Sequence, residues 1–257
     1  VRRSPSWPRP SSEPVSDPLE VYRDIARRPR ADGRFVVEGE LAVARLLASE
    51  FVLESVLATG PALERLRVPE GVPVFERSAA ALRELVGFDF HRGALACARR
   101  PEAWSIDPAL LERRRLTIVV AAALADPRNL GALVRNARAF AVDWVIADSR
   151  GADPLSRQAI RASMGNVFRV PLTIEPLPGR LDQLGCTIVA ATPDADAEDL
   201  HGFERPERLV LLVGNEGEGL SARLLALADR RVRIPIAREA DSLNVAAATA
   251  VLLDRLR

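Results

Sequence analysis

The sequence predicts an α/β protein with a small mixed unit followed by a larger parallel sheet. Three observations carry this. Leu116 to Ala125 is the longest apolar run, as expected of a parallel strand buried on both faces. From there to the C-terminus, strand-like and helix-like segments alternate, the pattern of a parallel sheet with crossover helices. Ahead of it, Leu19 to Arg100 alternates shorter segments, sized for a three-layer sandwich of about 80 residues.

Residues 1–17 hold Pro5, Pro8, Pro10 and Pro14 among Ser and Arg, and read as a disordered tail. Its Arg2, Arg3 and Arg9 are either solvated or in touch with an anionic partner. Leu19 to Arg28 is helical and stopped by Pro29; Phe35 to Val37 is extended. Glu40 to Ala48 has helical periodicity, Phe51 to Ala58 is a strand, and a short helix follows near Leu63. Val72 to Phe75 is a strand, Ser78 caps a helix through Val86, and Gly93 to Ala98 closes the unit as a strand. Residues 18–100 form this unit. Residues 101–115, with Pro101 and Pro108, form a linker with a helical turn over Pro108 to Arg113.

Residues 116–257 form the larger unit. Strands are expected at Thr117 to Ala123, Trp144 to Ala147, Val167 to Ile174, Thr187 to Ala191, Leu209 to Val213 and Val232 to Ile236. Helices are expected at Asn129 to Phe140, Pro154 to Ser163, Ser221 to Ala228 and Leu243 to Leu256. No internal repeat is found.

Composition narrows the chemistry. Apolar residues make up 48% and charged residues 28%, an ordinary globular balance. The 36 basic residues face 35 acidic ones, so basic surface must be local. All basic residues are Arg, which excludes a Walker A loop, a Schiff-base amine and the strand Lys of a protein kinase. Cys97, Cys186, His91 and His201 stand apart, without zinc-ligand spacing, so no metal is expected. The two cysteines fit a reducing compartment. The N-terminus lacks the apolar core of a signal peptide, and the longest apolar run is about half a membrane span. A cytoplasmic protein without a membrane partner is expected.

In open α/β sheets, ligands bind beyond the carboxyl ends of the strands. Three segments there carry more Gly, Asn and carboxylate than a connection needs. The first is Asp126-Pro127-Arg128-Asn129-Leu130-Gly131-Ala132-Leu133-Val134-Arg135-Asn136-Ala137. Asp126 or Asn129 caps its helix, and Arg135 comes six residues after Asn129, close enough to border one crevice. A capped helix with an exposed Arg is the competing account. The second is Leu212-Val213-Gly214-Asn215-Glu216-Gly217-Glu218-Gly219-Leu220-Ser221. Its glycines let backbone approach a ligand, but their spacing is not that of a dinucleotide turn. Its carboxylates suit a cationic or hydroxyl-rich ligand better than a phosphate. The third is Ile234-Pro235-Ile236 followed by Asp241-Ser242-Leu243-Asn244-Val245-Ala246-Ala247-Ala248. Ser242 reads as an N-cap; Asn244 inside the first turn is harder to explain by structure alone.

Together the three segments resemble the SpoU (TrmH-like) class of SPOUT RNA methyltransferases, over residues 116–257. Ile236 stands where Met is frequent, a mild departure at an apolar position. The resemblance implies a parallel sheet whose C-terminal part threads a deep trefoil knot, a feature that periodicity does not reveal. It implies binding of S-adenosyl-L-methionine and methylation of a ribose 2′-hydroxyl in RNA. By motif position, Gly214, Ile234 and Leu243 contact the cofactor, largely through backbone, and Arg135 matches the catalytic Arg. Asn129, Glu216, Ser242 and Asn244 match the polar positions around the reacting ribose. The resemblance also implies a homodimer through the catalytic domain, with the site completed across the interface. In the family the Arg is described as the base. A guanidinium is effectively always protonated in proteins, so gripping a phosphate and favouring alkoxide character is the physical alternative.

The preceding unit is similar to the L30e-like substrate-binding domain found before many SpoU domains. Arg34-Phe35-Val36-Val37-Glu38-Gly39, Val72-Pro73-Val74-Phe75 and His91-Arg92-Gly93-Ala94-Leu95-Ala96 carry that likeness. It implies an RNA-binding module and favours ribosomal RNA over transfer RNA. Phe35 and Phe75 read as core, and His91 as structural. Candidate phosphate contacts are Arg150, Arg157, Arg161 and Arg169, with Arg99, Arg100 and Arg113 to Arg115; pairing with nearby acids is the competing account. Two other classes compete: a non-catalytic RNA-binding protein on the same fold, and a nicotinamide oxidoreductase, which lacks its Gly spacing after the first strand of the sheet.

Overall fold

The computed structural model describes residues 17–23, 25, 33–237 and 242–257. The expected tail therefore lies almost wholly outside the described residues. Of the helix expected at Leu19 to Arg28, a 3-10 turn at Glu20–Tyr22 is described.

The first sheet contains β1 (Arg34–Glu38), β2 (Leu53–Ala58), β3 (Val74–Glu76) and β4 (Ala94–Arg99), in the order β1-β4-β2-β3. β4 pairs antiparallel with both neighbours, and β3 adds in parallel to β2. Helices α1 (Glu40–Leu47), α2 (Gly60–Leu63) and α3 (Ala79–Val86) connect the strands. Ser78 caps α3 as expected, its hydroxyl accepting from the Ala81 amide. Alternation along the strands sends Phe35, Val37 and Val56 to one face with α1. Leu57, Leu95 and Cys97 go to the other, with α3 and Tyr22. The Tyr22 hydroxyl is buried against Ser55, and burial raises its pKa far above the usual phenol value. Phe35 is buried and Phe75 is packed against the second cluster, so both are core. His91 is exposed and paired with Asp89.

Residues 101–115 hold a 3-10 turn, Pro108–Glu112, with Asp107 as its cap. The stretch is packed: Trp104 meets Phe51, and Leu110 is buried beneath the second sheet.

The second sheet is wholly parallel and has seven strands in the order β7-β6-β5-β10-β8-β11-β9. They are β5 (Leu116–Ala121), β6 (Trp144–Asp148), β7 (Leu172–Glu175), β8 (Thr187–Ala191), β9 (Glu198–Asp199), β10 (Arg208–Val213) and β11 (Arg230–Arg233). Burial on both faces explains the apolar run: Val119 and Ala121 enter one core, Ile118 and Val120 the other. Helices α4 (Pro127–Ala139), α5 (Arg157–Ala162) and α7 (Val245–Leu256) cover the first face, and α6 (Ala222–Leu227) the second. The chain leaves β11 beyond β8, yet ends with α7 packed on α4. The Asn136 amide donates to Ala246 O at 2.7 Å across that contact. Among the described residues, no helix is long and apolar enough to cross a membrane.

Several expectations change, among them the start of α5, which begins at Arg157 rather than Pro154. Val167 to Ile174 is not one strand: a 3-10 turn occupies Asn166–Phe168, and β7 starts at Leu172, because Pro171 interrupts the ladder. β11 lies two residues earlier than Val232 to Ile236, with Pro235 beyond its end. The two-residue β9 at the sheet edge was too short to leave a periodic signal.

The two sheets share one apolar core. Phe35 stacks on Phe168 at 6.0 Å, and Phe51 meets the same ring edge-on at 5.5 Å. Beside it, Glu38 of β1 is 3% exposed, accepts from Arg157 at 2.8 Å and forms an ion pair with Arg161 at 3.1 Å, both on α5. Glu38→Ala would leave these guanidinium groups without their buried partner. Because these guanidinium groups are partly exposed, a stability loss of about 1–3 kcal/mol is expected, read from urea unfolding. An unchanged midpoint would mean that the Glu38 ion pairs contribute nothing to joining the sheets.

Candidate functional site

The three segments singled out in the sequence all leave carboxyl ends of the parallel sheet. The first follows β5. Asp126 caps α4 by accepting from the Arg128 amide at 2.8 Å, with Pro127 at the first helical position. Arg128 folds back on Asp126, and its guanidinium and amide hold that carboxyl below the usual carboxylate range. The cap therefore persists above the ordinary carboxylate pKa and is lost only as pH falls through the depressed value. Gly131 faces α5 at close range: a Cβ there would lie 2.4 Å from Ala159 O. The glycine sets how near α5 approaches α4.

The second segment follows β10. The Asn215 and Gly219 backbones pair with each other, closing a tight loop that lifts Glu216 to Glu218. A Cβ on Gly214 would lie 2.4–2.6 Å from Gly219 and Leu220 backbone atoms, so the loop closes only on glycine. Asn215 holds it in place: its amide donates to Ala123 O at 3.0 Å, and its Oδ1 accepts from the Gly217 amide at 2.8 Å.

The third segment leads into α7. Asn244, not Ser242, is the N-cap, its Oδ1 accepting from Ala246 and Ala247 amides at 2.9 and 3.4 Å. The helix starts at Val245, two residues later than expected, which places Asn244 outside its first turn and explains its residue type. Ser242 is exposed.

A side-chain relay joins the three. Asn244 Nδ2 donates to Asn129 Oδ1 at 3.0 Å, and Asn129 Nδ2 donates to Glu216 Oε1. Asn129 thus uses both ends of its amide to bridge α4, the β10 loop and the start of α7. Gly214 and Ile234 follow β10 and β11, the strands on either side of β8. Leu243 adjoins the relay at Asn244 and is 40% exposed, as is Ile236 at 38%. Exposed apolar side chains, loop backbone and the acidic Glu216 and Glu218 suit a ligand with a flat apolar part and a positive charge.

Arg135 is not part of this relay. At roughly 100° per residue it lies about 240° round the helix from Asn129. It is exposed, among Arg45, Arg138 and Arg169, and among the described residues it forms no ion pair. Among the described residues, Arg135 makes no hydrogen bond or ion pair to Asn129, Glu216 or Asn244. Asn136 and Asn215 were not singled out; they lie inside the quoted motifs, but only contacts reveal that they clamp α7 and the β10 loop.

The molecule has clear relatives. A model of the SpoU rRNA Methylase family matches residues 116–254. An uncharacterized tRNA/rRNA methyltransferase of Mycobacterium bovis is 37% identical over 255 residues, covering 93% of this chain and 88% of its own. The 23S rRNA (guanosine(2553)-2′-O)-methyltransferase of Bacillus subtilis is 28% identical over 229 residues, covering 87% and 88%. An AdoMet-bound rRNA methyltransferase from Sinorhizobium meliloti superposes with a TM-score of 0.80 at 25% identity, over 96% of each chain. The fold likeness thus takes in both sheets. With its motifs joined in one site and the family model matched across the parallel sheet, the chain belongs to the SpoU rRNA Methylase family.

Proposed function

We propose that the protein transfers the methyl group of S-adenosyl-L-methionine to a ribose 2′-hydroxyl in RNA, with ribosomal RNA as substrate. The observation that carries this is the Asn129–Glu216–Asn244 relay, which joins polar groups from three motifs at the carboxyl end of the parallel sheet. The cofactor supplies an activated methyl on a sulfonium. The chemistry of the site fits it: Glu216 and Glu218 favour a cation, and Ile236 and Leu243 offer apolar surface. Gly214, Ile234 and Leu243 hold it, with backbone as the main donor and acceptor.

In this reading Glu216 and Asn129, oriented by each other, hold the 2′-hydroxyl, and Asn244 fixes Asn129. Ser242 sits on the rim beside them. Positioning supplies much of the rate, since the methyl is already activated. Arg135 grips a phosphate and stabilises charge on the 2′-oxygen. Its distance round α4 from Asn129 supports a homodimer through the catalytic sheet, in which Arg135 serves a partner's relay. The protein works in the cytoplasm, where its RNA substrate is. The ribosomal choice rests on likeness to the Bacillus enzyme; transfer RNA is the second reading, because the Mycobacterium relative carries the broader name.

The test is transfer of labelled methyl to ribosomal and transfer RNA from an unmodified host, with wild type and Asn129→Ala. Label should enter ribosomal RNA and resist alkaline cleavage at one ribose. Asn129→Ala should be slower by about 100-fold with an almost unchanged thermal midpoint, since the relay is largely exposed. Label in transfer RNA alone would move the substrate; cofactor binding without label in either pool would discard the catalytic roles.

A further inference from the structure

Most arginines proposed from sequence as phosphate contacts are already neutralised. Arg157 and Arg161 close on Glu38, Arg150 on Asp148, Arg99 on Glu54, Arg100 on Asp153, Arg113 on Asp143 and Arg114 on Glu207. Arg115 and several other arginines also lack an ion pair with a described residue, but only four of the unpaired ones are shown grouped. Arg45, Arg135, Arg138 and Arg169 form no ion pair with any described residue.

These four come from three elements held close together. Arg135 and Arg138 are three apart on α4, hence neighbours on its surface. Arg169 ends the 3-10 turn Asn166–Phe168, which packs on both α4 and α1. Arg45 reaches from α1 to donate to Met164 O at 2.7 Å. The packing under them is tight: a Cβ on Gly165 would lie 2.9 Å from Ala42 Cα, so backbone contact sets the spacing between α1 and this turn. Burial, followed by the charges of Arg169, Arg135 and Arg138, pushes the Arg45 pKa down. The macrodipole favours a cation such as Arg138 in the last turn of α4, but it does not account for the other three. Like charges gathered without counter-ions among the described residues repel; an anion spanning them turns that cost into attraction.

We propose that Arg45, Arg138 and Arg169, grouped round Arg135, bind consecutive phosphates of the substrate RNA strand, and that Arg45 thereby makes the first sheet part of the substrate site. This rests on the reading of the protein as an RNA 2′-O-methyltransferase. Guanidinium forks suit phosphate oxygens, and such contacts position a strand without reading its sequence.

The test uses Arg138→Gln with Arg169→Gln as a double variant, and Arg45→Gln separately because its bond to Met164 couples it to packing. Binding of unmodified ribosomal and transfer RNA transcripts is measured across salt concentrations, together with methyl transfer and cofactor binding. The double variant should bind RNA at least about tenfold more weakly, with a log–log salt slope shallower by roughly 1.5. KM for RNA should rise while kcat at saturating RNA and cofactor affinity stay near wild type. Wild-type affinity and slope in the double variant would overturn the patch alone, with methyl transfer intact. RNA binding that needs the patch, from a wild type that transfers no methyl, would keep the patch and discard the activity. A wild type that neither binds nor methylates RNA would overturn both.

Discussion

Arg135→Ala is expected to lower methyl transfer by about 100- to 1000-fold, the loss seen when one preorganised charge-stabilising group is removed. The side chain is exposed and makes no ion pair among the described residues, so its removal leaves no orphaned partner and the thermal midpoint should hold. Cofactor affinity should also hold, because Gly214, Ile234 and Leu243 lie on other elements. Arg135→Lys should fail nearly as badly: a planar fork grips a phosphate through two parallel bonds, and a single ammonium does not. Single-turnover rates at saturating RNA and cofactor check both variants. A wild-type rate in the alanine variant removes Arg135 from the chemistry; a wild-type rate in the lysine variant shows that a point charge suffices. Mixing Arg135→Ala with Asn129→Ala adds a test of the dimer. If each site takes Arg135 from one copy and the relay from the other, mixed dimers regain one intact site, and activity returns from two inactive preparations.

Gly214→Ala is the second large effect. Its Cβ would meet Gly219 C at 2.4 Å, Gly219 O at 2.5 Å and Leu220 N at 2.6 Å. All three are backbone atoms, so nothing flexible can give way, and the Asn215–Gly219 pairing must open. Overpacking of this kind costs about 1–3 kcal/mol. Opening the loop also displaces Glu216 from Asn129, so cofactor affinity should fall at least about tenfold and methyl transfer with it. Gly217→Ala is the control: its Cβ would meet only Asn215 Oδ1 at 3.5 Å, an ordinary contact. Calorimetric titration with S-adenosyl-L-methionine and urea unfolding compare the two. Equal affinity in both variants would mean that the loop closure does not shape the cofactor site.

Which residues bear on the site was largely legible in the sequence, while their grouping was not. Asn129, Glu216 and Asn244 stand out because Asn and carboxylate after buried strands have no packing purpose, and the structure joins them across 87 and 115 residues of chain. Arg135 stands out by its place in the first motif, yet it makes no hydrogen bond or ion pair to the relay among the described residues. The paired arginines show the opposite failure. Arg157 and Arg161, one turn apart, look like an anion site until Glu38 arrives from a strand 119 residues earlier. Arg45 and Arg138 attracted no notice, because each looks like an ordinary helix-surface cation until α1 and α4 meet through the Asn166–Phe168 turn.

By itself the sequence determined the local order of this protein. The apolar run at β5 demanded burial on both faces, Asp126-Pro127 and Ser78 started helices, and Gly214 to Gly219 compelled a tight loop. Those outcomes depend on neighbours a few residues apart, where propensity, capping and steric exclusion act. Tertiary structure alone decided the strand order β7-β6-β5-β10-β8-β11-β9, the return of α7 to α4, the Phe35–Phe168 junction and which arginines remain without acids. Each of these is a long-range meeting, and a charge or an apolar face carries no mark of the partner it finds.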